Sequence, residues 1–314
     1  MPAFSGPVPA LLVTASKQPA APLEGELTDR LSVYAAGDVA VSDTEPDGLG
    51  LGVDAETLAA SGGIEYFLNE RINLGLAATA FTADGDLDRN IASIETTGLM
   101  LSPYVTIFEG AFHADALYSL GILNSDVERP TGETVASGET DALLHALELN
   151  AGWNFEAAGL VFGPVVGAEY RHLSVDGYEE NSVWGAVRYD DQTIESLITR
   201  VGAQLSAPVR LGGLRVTPQI RAAWEHEYMD DEEDVSVRLL RSPVTIIEGG
   251  RMREGDPFTA ALRSASLESD YLSAGAGVRV EVGRGVSVLL DYESHFFRGG
   301  STLHMAAAKV LVDF

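Results

Sequence analysis

Apolar and polar side chains alternate along much of this chain. From Gly285 to Phe297, Val286, Val288, Leu290, Tyr292 and Phe296 fall on one face, and Ser287, Leu289, Asp291, Glu293 and His295 on the other. From Tyr271 to Val282, Leu272, Ala274, Ala276, Val278, Val280 and Val282 oppose Tyr271, Ser273, Gly275, Gly277, Arg279 and Glu281. From Leu214 to Tyr228, Val216, Ile220, Ala222 and Trp224 oppose Arg215, Thr217, Gln219, Arg221, Glu225 and Glu227. Successive side chains of a strand point to opposite faces, so each segment reads as a strand with one apolar and one polar face. The pattern predicts twelve strands, starting near Leu31, Glu56, Ile72, Ser93, Ala111, Ala142, Gly159, Gln192, Gly213, Ser266, Val286 and Thr302. Most exceed the globular norm of about 5–6 residues and reach the roughly 9–11 that a tilted strand needs to cross a bilayer.

The links alternate in length. Those at 68–71, 108–110, 156–158, 207–212 and 283–285 are short, whereas those at 42–55, 125–141, 175–191 and 230–265 are long. Aromatic residues on the apolar faces form two groups. Tyr66, Phe112, Trp153, Phe155, Phe162 and Phe314 lie near short links, and Tyr118, Tyr170, Trp224, Tyr228, Tyr292 and Phe296 near long ones. Two aromatic bands suit two membrane interfaces and disfavour a soluble sandwich. The expected fold is all-β: a transmembrane, antiparallel, up-and-down barrel of 12 strands with short periplasmic turns and long extracellular loops. An alternating stretch inside the link 230–265, from Val235 to Ile247, predicts a hairpin standing above the membrane.

Composition narrows the function. With 47 acidic against 20 basic residues, the formal charge is −27 and nucleic-acid binding is disfavoured. There is no cysteine, hence no thiolate nucleophile and no Cys-ligated zinc. Mean hydropathy is near zero, and uncharged runs such as Gly159 to Ala168 are too short for spanning helices. Met1 to Ser16 is uncharged but carries Pro2, Pro7 and Pro9 without a basic n-region, so it reads poorly as a signal peptide. The division expected is a linker or pre-barrel segment at 1–30 and a barrel at 31–314.

From about Tyr189 onward the chain resembles an autotransporter translocator domain of bacterial outer membranes. Asp191–Gln–Thr–Ile–Glu–Ser–Leu–Ile–Thr–Arg–Val–Gly202 is similar to that family's strand ending in Arg-x-Gly. Leu214 to Tyr228 is similar to its proline-containing strand ending in Trp-x-His-Glu, here Trp224, His226 and Glu227. The terminal Phe314, sharing a face with Val310 and Val312, resembles the sorting signal read by the barrel assembly machinery. The resemblance implies a barrel that lets an upstream passenger polypeptide, in cis, reach the cell surface through a membrane of lipid and lipopolysaccharide. It also implies a pre-barrel segment, usually helical, threaded through the lumen. Leu23, Leu27 and Leu31 share a helical face and Glu24 and Glu26 suit a first turn, while Gly25 weakens it. The alternative is a stand-alone outer-membrane pore.

The polar faces point into the lumen. They carry Arg200, Arg215, Arg221, Glu225, Glu227, Arg279, Glu281, Asp291, Glu293 and Lys309, which either stiffen the barrel as ion pairs or shape ion passage. Gly63, Gly75, Gly152, Gly163, Gly202, Gly275 and Gly277 are also expected to point inward near short turns, either relieving curvature or leaving room for an inserted segment. Pro103, Pro164 and Pro218 face lipid at similar heights, where a missing donor suggests a bend.

No soluble-enzyme signature is present: no Walker loop, His-Glu-x-x-His or Gly-x-Ser-x-Gly. The sequence therefore predicts a barrel without catalysis, cofactor or metal of its own. One hint points elsewhere. His172 and Ser174, two apart on an outward face, resemble the His-x-Ser of outer-membrane phospholipase A and lipid A deacylase barrels. The phospholipase continuation Asn-Gly is replaced by Val175, Asp176 and Gly177. The acidic run Asp230 to Asp234 lacks the spacing of a calcium loop and reads as a solvated loop.

Overall fold

The alternation becomes a closed ladder in the computed structural model, which describes residues 30–45, 52–87, 91–132, 134–182, 185–229, 234–240, 245–248, 251–254, 259–263, 268–283 and 285–314. Twelve long strands of 13 to 19 residues build the barrel. They are β1 (Leu31–Thr44), β2 (Val53–Asn69), β3 (Ile72–Leu87), β4 (Ser93–Glu109), β5 (Phe112–Pro130) and β6 (Val135–Trp153). The second half comprises β7 (Leu160–Val175), β8 (Gln192–Ser206), β9 (Leu214–Glu227), β10 (Asp270–Gly283), β11 (Val286–Arg298) and β12 (Ser301–Asp313). Each pairs antiparallel with the next. β12 returns to β1, from Ser32 opposite Asp313 to Thr44 opposite Ser301. Below that register, the Phe314 N–H donates to the Leu31 carbonyl at 2.9 Å. Closure leaves no unpaired edge, as spanning a bilayer with strands requires.

The outward face is apolar and exposed. Leu58 and Ile122 are each 61% accessible, with Ile64, Leu99, Val201 and Leu290 similarly placed. The inward face is buried and mixed. Its polar members, including Glu65, Glu148, Glu169, Glu225, Asp291 and Glu293, are joined by an apolar band containing Phe81, Met100, Leu123, Leu144, Leu173 and Met305. The sequence pattern hid this band, because segments such as Leu117 to Leu123 carry apolar residues on both faces. The two aromatic groups lie outward, with Trp153, Phe155, Phe162 and Phe314 toward one end and Trp224, Tyr228, Tyr292 and Phe296 toward the other. Pro103, Pro164 and Pro218 also face outward, and the β4–β5 register skips Ser102 and Pro103, where proline offers no donor.

Several boundaries differ from the sequence pattern. β6 starts at Val135 rather than near Ala142, because β5 and β6 stay paired out to Pro130 opposite Val135. The long link expected at 125–141 is thereby mostly strand. β10 starts at Asp270 rather than Ser266. The hairpin expected over Val235 to Ile247 is not formed. Asp234–Leu239 pairs instead with Thr259–Arg263 on one side and Val187–Tyr189 on the other, while Thr245–Glu248 pairs with Arg251–Glu254. Local alternation specifies a strand but not its partner. At the long-link end, β11 and β12 are joined by Gly299 and Gly300 alone, whose φ values of 55° and 78° suit a two-residue hairpin.

A four-stranded sheet outside the barrel comprises Tyr178–Glu179, Val187–Tyr189, Asp234–Leu239 and Thr259–Arg263. It packs Tyr178, Val187 and Tyr189 against Val127 near the end of β5. The two tyrosine rings stack at 4.7 Å, and Arg129 grips Glu180 through Nε at 2.8 Å and through Nη2. Burial pushes the Tyr189 phenol up to about 12 and that of Tyr178 higher still, so both stay neutral hydrogen-bonding groups. The expected segment at 1–29, with Leu23, Leu27, Glu24 and Glu26, and the acidic residues Asp230 to Glu233 lie outside the described residues.

Candidate functional site

The lumen wall holds three polar clusters, each assembled by strand register. In the first, Arg200 of β8 reaches Glu148 of β6 at 3.3 Å and Glu169 of β7 at 3.0 Å. Arg171 also pairs with Glu169, and Asn150 bridges Asp115 and Glu148 at 2.9 and 3.0 Å. In the second, Arg221 of β9 clasps both oxygens of Asp291 at 2.8 and 2.6 Å and reaches Glu293 at 2.8 Å. Beside it Tyr271 donates to Glu225 at 3.1 Å, and the Arg298 guanidinium sits 4.5 Å over the Tyr271 ring. In the third, Glu65 of β2 accepts from Tyr104 at 2.7 Å and lies 3.7 Å from Lys309, whose ammonium is 3.8 Å over the Tyr34 ring.

Glycines explain how these side chains reach partners two strands away. Tyr104 stands opposite Gly75, and Gly75 opposite Glu65. A Cβ on Gly75 would meet the Tyr104 ring at 2.0 Å. Arg221, Gly275 and Glu293 form the same kind of row, and a Cβ on Gly275 would lie 2.6 Å from the guanidinium carbon. Tyr34 lies on Gly63 likewise, and Asp291 beside Gly277. Each glycine is the saddle over which a long side chain lies flat along the wall. The space at these positions is thus filled by the barrel's own side chains, a reason that neither curvature nor room for a segment supplies. Gly163 and Gly202 serve close backbone approach instead, and Gly152 combines both, a Cβ there lying 2.6 Å from the His113 ring as well as against backbone. Cβ atoms at Gly152, Gly163 and Gly202 would meet Pro164 O at 2.9 Å, Trp153 O at 1.6 Å and Ala222 O at 2.3 Å.

The other inward charges range from half-exposed to buried. Arg215 and Glu281 lie 3.9 Å apart, both about half exposed, and Arg279 shares the face of Glu281 on β10. Glu227 accepts from Ser196 at 2.6 Å and from the Leu197 N–H at 2.8 Å. Glu225, Glu293 and His295 bring ligand-type atoms within 4.8 Å of one another, although Arg221 already sets a cation 2.7 Å from Glu293. The sequence alone could not name Glu65, Glu148 or Glu169 as partners, because pairing across two strands depends on register.

The outward face carries the remaining candidates. Val310 and Phe314 are exposed and Val312 is half-buried on the same face of the closing strand. Ser174 Oγ lies 3.3 Å from His172 Nε2, and His172 Nδ1 lies 3.2 Å from Glu195 Oε1 on β8. Glu195 went unnoticed in the sequence because it is on another strand; its place opposite His172 is set by the β7–β8 register.

The family profile described as "Autotransporter beta-domain" matches residues 33–293. The chain belongs to this autotransporter family. The autotransporter barrel is a translocator domain of the bacterial outer membrane, which makes the short-turn end periplasmic and the long-link end extracellular. Its fold is similar to the translocator domain of NalP from Neisseria meningitidis, at a TM-score of 0.70 and 19% identity, covering 91% of this chain and 88% of that one. An uncharacterized protein from the trpE-trpG intergenic region of Pseudomonas putida is 28% identical over 193 residues, covering 58% of this chain and 31% of that protein. Esterase EstA of Pseudomonas aeruginosa is 28% identical over 213 residues, covering 62% of this chain and 32% of EstA. The chain thus spans about a third of the length of these curated relatives.

Proposed function

We propose that this autotransporter barrel carries a passenger polypeptide, continuous with its own N-terminal side, across the outer membrane, and that residues before Leu31 lie in the lumen afterwards. The observation that carries this is where β1 begins. Leu31 enters the ladder at the periplasmic end, beside Phe314, so any preceding segment bound for the surface must pass through the closed barrel. The wall supports such passage. Its long polar side chains lie flat against the wall, across the strands over glycine saddles, offering hydrogen-bonding groups to a polar backbone without projecting toward the axis. The transport needs no bond chemistry in the barrel. Outer-membrane lipid and lipopolysaccharide would surround the apolar face, and the assembly machinery would read Val310, Val312 and Phe314.

Planar-bilayer conductance tests the reading. The full chain should conduct less than a chain starting at Leu31, because the leading segment occludes the pore. Equal conductance would favour a simple pore.

A further inference from the structure

The structure brings a complete nucleophile–base–acid relay together on the outward face. In the hydrogen-bond chain Ser174 Oγ, His172 Nε2, His172 Nδ1, Glu195 Oε1, each contact uses the atom that acyl transfer requires, at 3.3 and 3.2 Å. The Tyr170 hydroxyl donates to the same Glu195 oxygen at 2.5 Å, which fixes the carboxylate facing the imidazole. The relay is reachable, with the His172 and Glu195 side chains 35% and 45% exposed. Ser174 is the penultimate residue of β7, so the group lies at the extracellular rim. Its cross-strand neighbours are Leu143 beside Ser174 and Leu147 beside Tyr170, both exposed apolar residues of the lipid-facing wall. Thr193, opposite Ser174, and His145, opposite His172, are the polar side chains that register sets next to the serine and the imidazole.

We propose that Ser174, His172 and Glu195 form a hydrolytic site for fatty-acyl esters of outer-leaflet lipid. Ser174 Oγ would attack the ester carbonyl carbon as its proton passes to His172 Nε2. The ester C–O bond then breaks, and the leaving alcohol takes that proton. Water, deprotonated by His172, attacks the acyl-serine, releasing the fatty acid and restoring the serine hydroxyl. Glu195 holds the imidazole tautomer that presents Nε2 to the serine and stabilises the imidazolium. The apolar wall would seat the acyl chain, and the polar rim would face the headgroup.

The test uses the full chain folded in detergent micelles and supplied separately with phosphatidylethanolamine and lipopolysaccharide, so that the two sources of acyl ester are distinguished. Fatty-acid release is expected from at least one. Ser174→Ala should reduce release to background, and His172→Ala should lower it by roughly 10²–10⁴-fold. Glu195→Gln should slow it, with Glu195→Asp recovering part of the rate, a rescue that a merely structural hydrogen bond would not give. Heat-modifiable migration on gels shows that each variant is folded. No Ser174-dependent release from either lipid by the folded wild-type barrel would overturn the proposal and leave the relay as a hydrogen-bonded part of the aromatic band.

Discussion

Removing Arg221 should leave Asp291 and Glu293, both over nine-tenths buried, without their clasping cation. Arg221→Met should therefore destabilise the barrel by about 3–5 kcal/mol, since breaking a buried ion pair strands its partners. Adding Asp291→Asn and Glu293→Gln should restore much of the loss, as read by urea unfolding in micelles. Saddle glycines give a second test at this scale. Gly75→Ala should cost about 1–3 kcal/mol by overpacking against the Tyr104 ring. In a Tyr104→Ala background that cost should largely vanish. Simple addition of the two effects would mean that the ring is not the reason for the glycine. The charges themselves were legible from the alternation, but their roles were not. Arg221 and Glu293 are 72 positions apart in the chain and meet only through the shared register of β10.

At the scale of elements, period-two alternation located most strands to within a few residues, because a half-buried strand must repeat every second side chain. It failed where strands leave the bilayer. Outside the membrane no lipid enforces an apolar face, so the extension of β6 back to Val135 left no clear periodic trace, and the alternation from Val235 onward marked a strand without revealing that Asp234–Leu239 pairs with Thr259–Arg263. Topology follows from the elements. Epitope tags in the links at 131–134 and 176–191 should be labelled on intact cells, whereas a tag at Glu70 should be protected. Reversed labelling would invert the barrel. The closing strand provides another expectation. Deleting Phe314 removes both an exposed aromatic anchor and the hydrogen bond to Leu31, so heat-modifiable barrel in membranes should fall sharply. Undiminished barrel would separate the terminal residue from assembly.

For the whole molecule, the sequence pattern implied closure, and the structure shows its two consequences: a lipid-facing apolar wall without edges, and an interior polar wall held by its own charges. The first places the chain in a membrane and the second makes a path for polar cargo physically reasonable. The inward apolar band of Phe81, Met100, Leu123 and Leu144 was not legible, since its alternation merges with the lipid face. The central claim is that a segment N-terminal to Leu31 crosses through this barrel. Its most direct test fuses an export signal and an epitope ahead of residue 1 and measures antibody binding to intact cells. The epitope should be exposed at the surface, and exposure should disappear when Phe314 is deleted. A folded barrel whose epitope stays on the periplasmic side would contradict the account.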